Sequence, residues 1–134
     1  MLDSIAVVAA ERQGKNARQL LESVALETGD DSIAISVIIV MDLAHGVTRG
    51  DTLERREKRQ RFLDELLIGV PVQPIAAPIA LRAGQIDGRS RASGVSIPLA
   101  DLLIGVSAME LGYAVGTGNI RHLQLIPGLE IVRL

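Results

Sequence analysis

The chain has no cysteine and no tryptophan, and only one phenylalanine and one tyrosine among its 134 residues. Without cysteine there is neither a disulfide nor a thiolate zinc site, and the composition suits a reducing compartment, read here as the cytoplasm. So few aromatic rings argue against a base-stacking platform for single strands. Charge of one sign is lacking as well: 14 Lys and Arg against 16 Asp and Glu leave a net charge of -2. No overall basic field points to nucleic acid, although a local patch is compatible with an acidic average. No apolar run approaches the ~18–20 residues that cross a bilayer. The first residues, with Asp3 and Glu11 and no basic leader, do not read as a secretory signal.

What is present is aliphatic. At 48% hydrophobic, the chain can bury a core of Leu, Ile, Val and Ala within one domain, residues 1–134. Residues 1–5 read as a short strand and 6–28 as helix with a break near Gly14. SIAIS (32–36) reads as a second strand, and VIIVMDLAHGV (37–47) as a helix that Ser36 caps. TLERREKRQRFLDELLI (52–68) is the clearest amphipathic pattern, with Leu53, Leu63 and Leu67 near one stripe. VPVQPI (70–75) predicts a third strand and 76–92 a further helix containing Gly84 and Gly88. Pro98 suits the first turn of the next helix and Gly112 its end. YAVGT (113–117) predicts a fourth strand, and Pro127-Gly128 a turn into a final strand, LEIVR. Strands alternating with helices at these spacings imply α/β architecture, a parallel sheet covered on both faces as a three-layer α/β/α sandwich. No internal repeat is present.

Four polar residues stand out against this background. Asp101 lies near the start of the apolar helix IPLADLLIGVSAMELG with no Lys or Arg within a turn. A carboxylate on the inward edge of such a helix needs a partner, from elsewhere in the chain, from solvent or from a metal ion, the last being favoured. In a parallel sheet functional groups gather at the carboxyl ends of the strands. Connectivity puts Asp3, Asp42 and Asn119 at that edge. Two carboxylates ~5 Å apart repel by roughly 3 kcal/mol at an effective dielectric of 20, so several together call for a cation or a shifted protonation state. Oxygen ligands without cysteine favour Mg²⁺ or Mn²⁺.

Four blocks, LDSIAVVAAERQ, ISVIIVMDLAHGV, IPLADLLIGVSAMELGYAVGTGNIRHL and IPGLEIV, run in an order and spacing that resembles PIN-domain ribonuclease toxins of the VapC type, from VapBC toxin–antitoxin pairs. The resemblance covers nearly the whole chain. It implies a PIN-like sandwich and metal-assisted hydrolysis of RNA, with Mg²⁺ or Mn²⁺ as cofactor. It also implies a VapB-type antitoxin lying over the groove, and a homodimer formed through helices, to which Phe62 and Leu66 would contribute. It assigns the four acidic or amide roles to Asp3, Asp42, Asp101 and Asn119, and places Asp101 at the shared edge. Asp3 and Asp101 become the principal metal ligands and Asp42 a ligand or a water-orienting group, while Ser4, Thr117 and Asn119 line and position.

The chain departs from the family pattern in places. Asp42 stands where the family usually has Glu, and the shorter side chain turns direct metal contact into contact through water. Asn119 is uncharged, leaving at most three anionic ligands. Only Met1 and Leu2 precede Asp3, where relatives carry a longer first strand, so this strand is expected to be short or truncated. Ile5 replaces a residue that is often polar in relatives.

Other features have plainer readings. His45, three residues after Asp42, and His122, in NIRHL, read as packing residues. Arg55, Arg56, Lys58, Arg59 and Arg61, interrupted by acids, read as a solvated helix face with i,i+3 and i,i+4 pairs. No GxxxxGK[ST] is present, so no nucleotide cradle is supported. A phosphoacceptor receiver domain would need an acid pair after the first strand and a late lysine. Here Ser4 follows Asp3 and the only lysines are Lys15 and Lys58. The surviving alternative to a nuclease is a PIN-fold binding module, catalytically weak or inactive, acting through protein or RNA contacts.

Overall fold

A computed structural model describes residues 1–134. Six helices, α1 (Ser4–Arg12), α2 (Ala17–Thr28), α3 (Val37–Thr48), α4 (Leu53–Gly69), α5 (Ala77–Ala92) and α6 (Leu99–Leu111), surround four short strands. The strands are β1 (Ile35–Ser36), β2 (Val72–Gln73), β3 (Val115–Thr117) and β4 (Ile131–Arg133), with a 3-10 turn at Leu123–Leu125 before the last.

All strand pairing is parallel, β1 with β2 and β3 with β4. The two pairs are joined by one residue: Leu2 bridges Ile35 on one side and Gly116 on the other. The sheet therefore runs β2-β1-Leu2-β3-β4, the middle of the expected α/β/α sandwich. A first strand over 1–5 does not form. Asp3 leaves the extended path as the N-cap of α1, its side chain accepting from the Ala6 N–H, so the chain is helical from Ser4 onward.

The other expected elements occur with shifted ends, and local chemistry explains where they stop. Gly14 takes φ +77° between α1 and α2, the left-handed turn that breaks the helical run. Asn16 and Gln19 then close a reciprocal capping box at the start of α2. Ser36 caps α3 through the Ile38 N–H, Thr52 caps α4 through the Arg55 N–H, and left-handed Gly112 ends α6. Gly84 and Gly88 stay inside α5, where no neighbouring atom would meet an added Cβ.

The core is aliphatic as expected, with Leu2, Val7, Ile35, Ile39, Leu66, Ile104, Val106, Val115 and Leu123 nearly or wholly shielded from solvent. Burying each such side chain contributes roughly 1.5–3 kcal/mol relative to exposure. Helix α4 turns Phe62, Leu63 and Leu66 inward and packs on α2 and α3. Leu53 remains 64% exposed and Leu67 38%, so the buried stripe differs from the one the spacing suggested. Phe62 and Leu66, 6% and 0% exposed, belong to this chain's own core. They present no surface to a second copy, which corrects their expected part in a dimer.

Gly105 sets a close approach that matters for the site. A Cβ there would meet the Cδ1 tip of buried Ile126, which would have to shift, so glycine eases the close approach of α6 to the segment after β3. Gly105 stands one turn beyond Asp101, and the 3-10 turn brought against α6 begins just after His122.

Candidate active site

Asp3 is the most enclosed ionisable side chain of the expected set, 3% exposed. Its backbone is fixed between the strands, the Asp3 N–H donating to the Gly116 carbonyl at 3.1 Å. Its Oδ1 accepts from the Ala6 N–H at 2.9 Å, and its Oδ2 accepts from the Thr117 hydroxyl at the end of β3. Thr117 is wholly buried, so β3 delivers its hydroxyl to the Asp3 carboxylate without competition from water.

Burial pushes the Asp3 pKa above its ordinary value of 3.8. The hydrogen bonds from Thr117 and Ala6 oppose that shift without cancelling it, and the nearby Asp101 carboxylate adds to it by repulsion. Asp3 and Asp101 are thus electrostatically coupled.

Asp101 sits in the first turn of α6, where the helix dipole favours a negative charge. Its missing partner is a histidine: His122 Nδ1 lies 3.1 Å from Asp101 Oδ2. The His122 side chain is 43% exposed, so the packing role read for it does not hold. Nothing local in the sequence marked this pair, whose members are 21 positions apart. His45 is likewise exposed, on the last turn of α3.

Asn119 follows β3 closely. Its N–H donates to the Thr117 Oγ1 at 3.0 Å, and its side-chain oxygen accepts from the Arg121 N–H at 3.0 Å. The Asn119 oxygen is therefore committed to a local turn, with the amide NH₂ left to face solvent. Ser4, half-buried, opens α1 directly after Asp3.

Asp42 stands apart from this group. It lines a cleft of about 340 Å³ together with Arg12, Arg49, Arg59 and Glu11, over an apolar floor that includes Phe62. No three Asp, Glu or His side chains converge tightly enough to ligate one ion. The structure thus links Asp3, Thr117, Asn119 and Asp101 by bonds or charge and adds His122, while Asp42 belongs to the cleft. The basic face of α4 also departs from simple helical pairing. Arg55 pairs with Asp51, but Arg59 crosses to Glu11 of α1 at 3.1 Å and to the Gly46 carbonyl at 2.8 Å.

The donor set suits a hard divalent cation. Each Asp3 oxygen accepts one hydrogen bond and retains a lone pair, and Asp101 uses one oxygen on His122. Burial is the main cause of the raised Asp3 pKa, and the smaller repulsion from Asp101 that adds to it is the kind a cation relieves.

The PIN domain family profile matches residues 1–125. Over 130 residues the chain is 33% identical to Ribonuclease VapC10 of Mycobacterium tuberculosis (strain CDC 1551 / Oshkosh), covering 97% of this chain and 90% of that protein. It is 28% identical over 100 residues to Ribonuclease VapC2 of Rickettsia felis, covering 75% of this chain and 72% of that one. Among solved structures, VapBC2 from Rickettsia felis bound to a DNA fragment from its promoter superposes with a TM-score of 0.84. That match has 25% identity and covers 100% of this chain and 97% of the other.

Proposed function

Because the chain belongs to the PIN-domain family, in its VapC branch, we propose that it is a metal-dependent endoribonuclease toxin whose centre is the Asp3–Asp101 pair. The observation that carries this reading is the coupling of a buried, bonded Asp3 to an Asp101 held by His122. Asp3 is nearly buried and bonded at the strand ends, with its pKa raised chiefly by burial and further by the Asp101 charge, and such a perturbed acid is characteristic of functional sites.

Asp3 and Asp101 would hold Mg²⁺ or Mn²⁺, which when bound supplies a water acidified toward neutrality and offsets charge on the phosphate oxygens. The chain's own residues prepare that position. Thr117 and the Ala6 N–H fix the Asp3 carboxylate, so its lone pairs keep one direction. His122 restrains Asp101 in the same way. The exposed Asn119 amide and half-buried Ser4 would orient the substrate phosphate. By the family pattern Asp42, which lines the separate cleft, would orient water or add a ligand.

The partners follow from the family: RNA as substrate in the cytoplasm, a VapB-type antitoxin that covers the groove, and a second copy of the chain. The proteins of the superposed Rickettsia felis structure are a VapBC pair.

One observation favours the alternative of a catalytically weak binding module, namely that no three acidic or histidine side chains meet at one point. RNA cleavage separates the two. Purified chain, free of antitoxin, is expected to cut RNA in the presence of Mn²⁺ or Mg²⁺. Asp101→Asn should lose that activity by on the order of 10³-fold with unchanged circular dichroism. Equal cleavage by the variant would remove the site from Asp101.

A further inference from the structure

The cleft that Asp42 lines has a basic composition that the hydrolytic reading leaves unused. Three guanidinium groups, Arg12 of α1, Arg49 at the end of α3 and Arg59 of α4, line one concavity with Glu11 and Asp42. Arg59 is spent within the protein, on Glu11 at 3.1 Å and the Gly46 carbonyl at 2.8 Å. That pairing also removes Glu11 as a competing anion and makes a rigid wall.

Arg12 and Arg49 make no side-chain hydrogen bond or ion pair and are exposed. A lone exposed arginine is ordinarily just a solvated charge. Two of them from separate helices facing one cleft, against the single unpaired acid Asp42, leave it with a net positive charge that nothing in the chain neutralises.

The cleft is also aligned with the centre. Ser4, Val8 and Arg12 follow one another at i,i+4 spacing on α1, and Val8 and Arg12 line the cleft. The same helix face therefore leads from the Asp3 cap to Arg12, about 13 Å along the axis at 1.5 Å per residue. A strand whose phosphodiester lay at Asp3 and Asp101 would, following this face, bring a further phosphate to Arg12 and Arg49. Guanidinium groups suit that ligand because their forked donors match two phosphate oxygens at once.

We propose that the Arg12–Arg49 cleft binds the phosphodiester backbone of single-stranded RNA a few nucleotides from the bond that is cut. The substrate class rests on the ribonuclease reading; the cleft's own charge and alignment supply the rest. The subsite reads backbone rather than bases, so it raises affinity without fixing sequence.

The test compares the full chain with the double variant Arg12→Gln/Arg49→Gln, both residues being exposed and unbonded in their side chains. Binding of a labelled single-stranded RNA of mixed sequence is followed by fluorescence anisotropy in EDTA across a salt series, so that it is read without cleavage. Loss of two phosphate contacts predicts a salt slope shallower by about 1.4 and affinity roughly twenty-fold weaker near 0.1 M salt. Cleavage by the variant should then show a raised KM with kcat nearly kept. Unchanged affinity and slope would overturn the subsite, even if the wild type cuts RNA. Arginine-dependent RNA binding by a chain that cuts no RNA would keep the cleft as an RNA-backbone site but overturn its place beside a cut bond, together with the ribonuclease reading. A polyglutamate peptide provides the third arm: if the variant loses that peptide and keeps RNA, the cleft serves an acidic protein segment and the proposal is overturned.

Discussion

The Asp3–Asp101 centre and the Asp42 cleft are built on opposite principles. In the first, almost every polar atom is held: Asp3 by Thr117 and Ala6, Asp101 by His122, Thr117 itself by full burial. In the second, Arg59 and Glu11 satisfy one another, while Asp42, Arg12 and Arg49 have side chains without partners. A centre that must present charge in one geometry is fixed in advance by the protein. A surface that takes a flexible polyanion keeps its charges solvated until the ligand arrives.

The sharpest way to break this contrast is at Asp3. Asp3→Asn should lower RNA cleavage on the order of 10³-fold while making the fold more stable at neutral pH. The sign follows from the raised pKa. The folded chain holds the Asp3 proton more readily than the unfolded chain, so stability falls as pH rises from the ordinary value of 3.8 through the higher folded value. The Asn variant escapes that loss. Its advantage in thermal denaturation should be greatest at neutral pH and vanish in acid, where Asp3 is protonated in both states. A variant less stable than wild type at neutral pH would show that the carboxylate's hydrogen bonds outweigh its burial.

The next effect is at the residue that holds Asp101. His122→Gln should weaken Mn²⁺ binding about 10–100-fold, the usual consequence of losing a group that orients a metal ligand. Titration of the two proteins with Mn²⁺ checks this, and an unchanged dissociation constant would return His122 to a surface role. Gly105→Ala acts one step further out. Its added methyl must displace Ile126, costing about 1–3 kcal/mol in chemical denaturation. Because the displaced segment carries His122, Mn²⁺ affinity should fall with stability.

The smallest effect belongs to the unheld acid. Asp42→Glu lengthens a side chain that the structure leaves free, and should raise cleavage or metal affinity by a few-fold. A clear loss of both would show that the site is adapted to the shorter acid.

How much of this was legible in the sequence depended on distance along the chain. The Ser36 cap, the Gly14 break and the Gly112 stop are signals within a turn or two of the structure they specify, and each does what the residue type dictates. The parallel sheet was legible from alternation, but not that its central strand contributes a single bridging residue. The capping tendency of Asp3 competes with extension there and wins. The buried stripe of α4 differs from the one its spacing suggests because Phe62 and Leu66 become internal only when α2 and α3 close over them. The Asp101–His122 pair and the Arg12–Arg49 cleft are wholly tertiary. Each is made by elements far apart in the chain, and no spacing announces either. Of the expected site, Asp3 and Thr117 are directly bonded, Asp101 is coupled to Asp3 by charge, and Asp42 faces a different wall.

The central claim is that Asp3 and Asp101 together form a cation-dependent centre, and calorimetric titration with Mn²⁺ of the wild type and Asp101→Asn tests it most directly. The wild type is expected to show a saturable binding event that disappears in a variant whose circular dichroism is unchanged. Equal binding by both proteins, or none by a folded wild type, would contradict it.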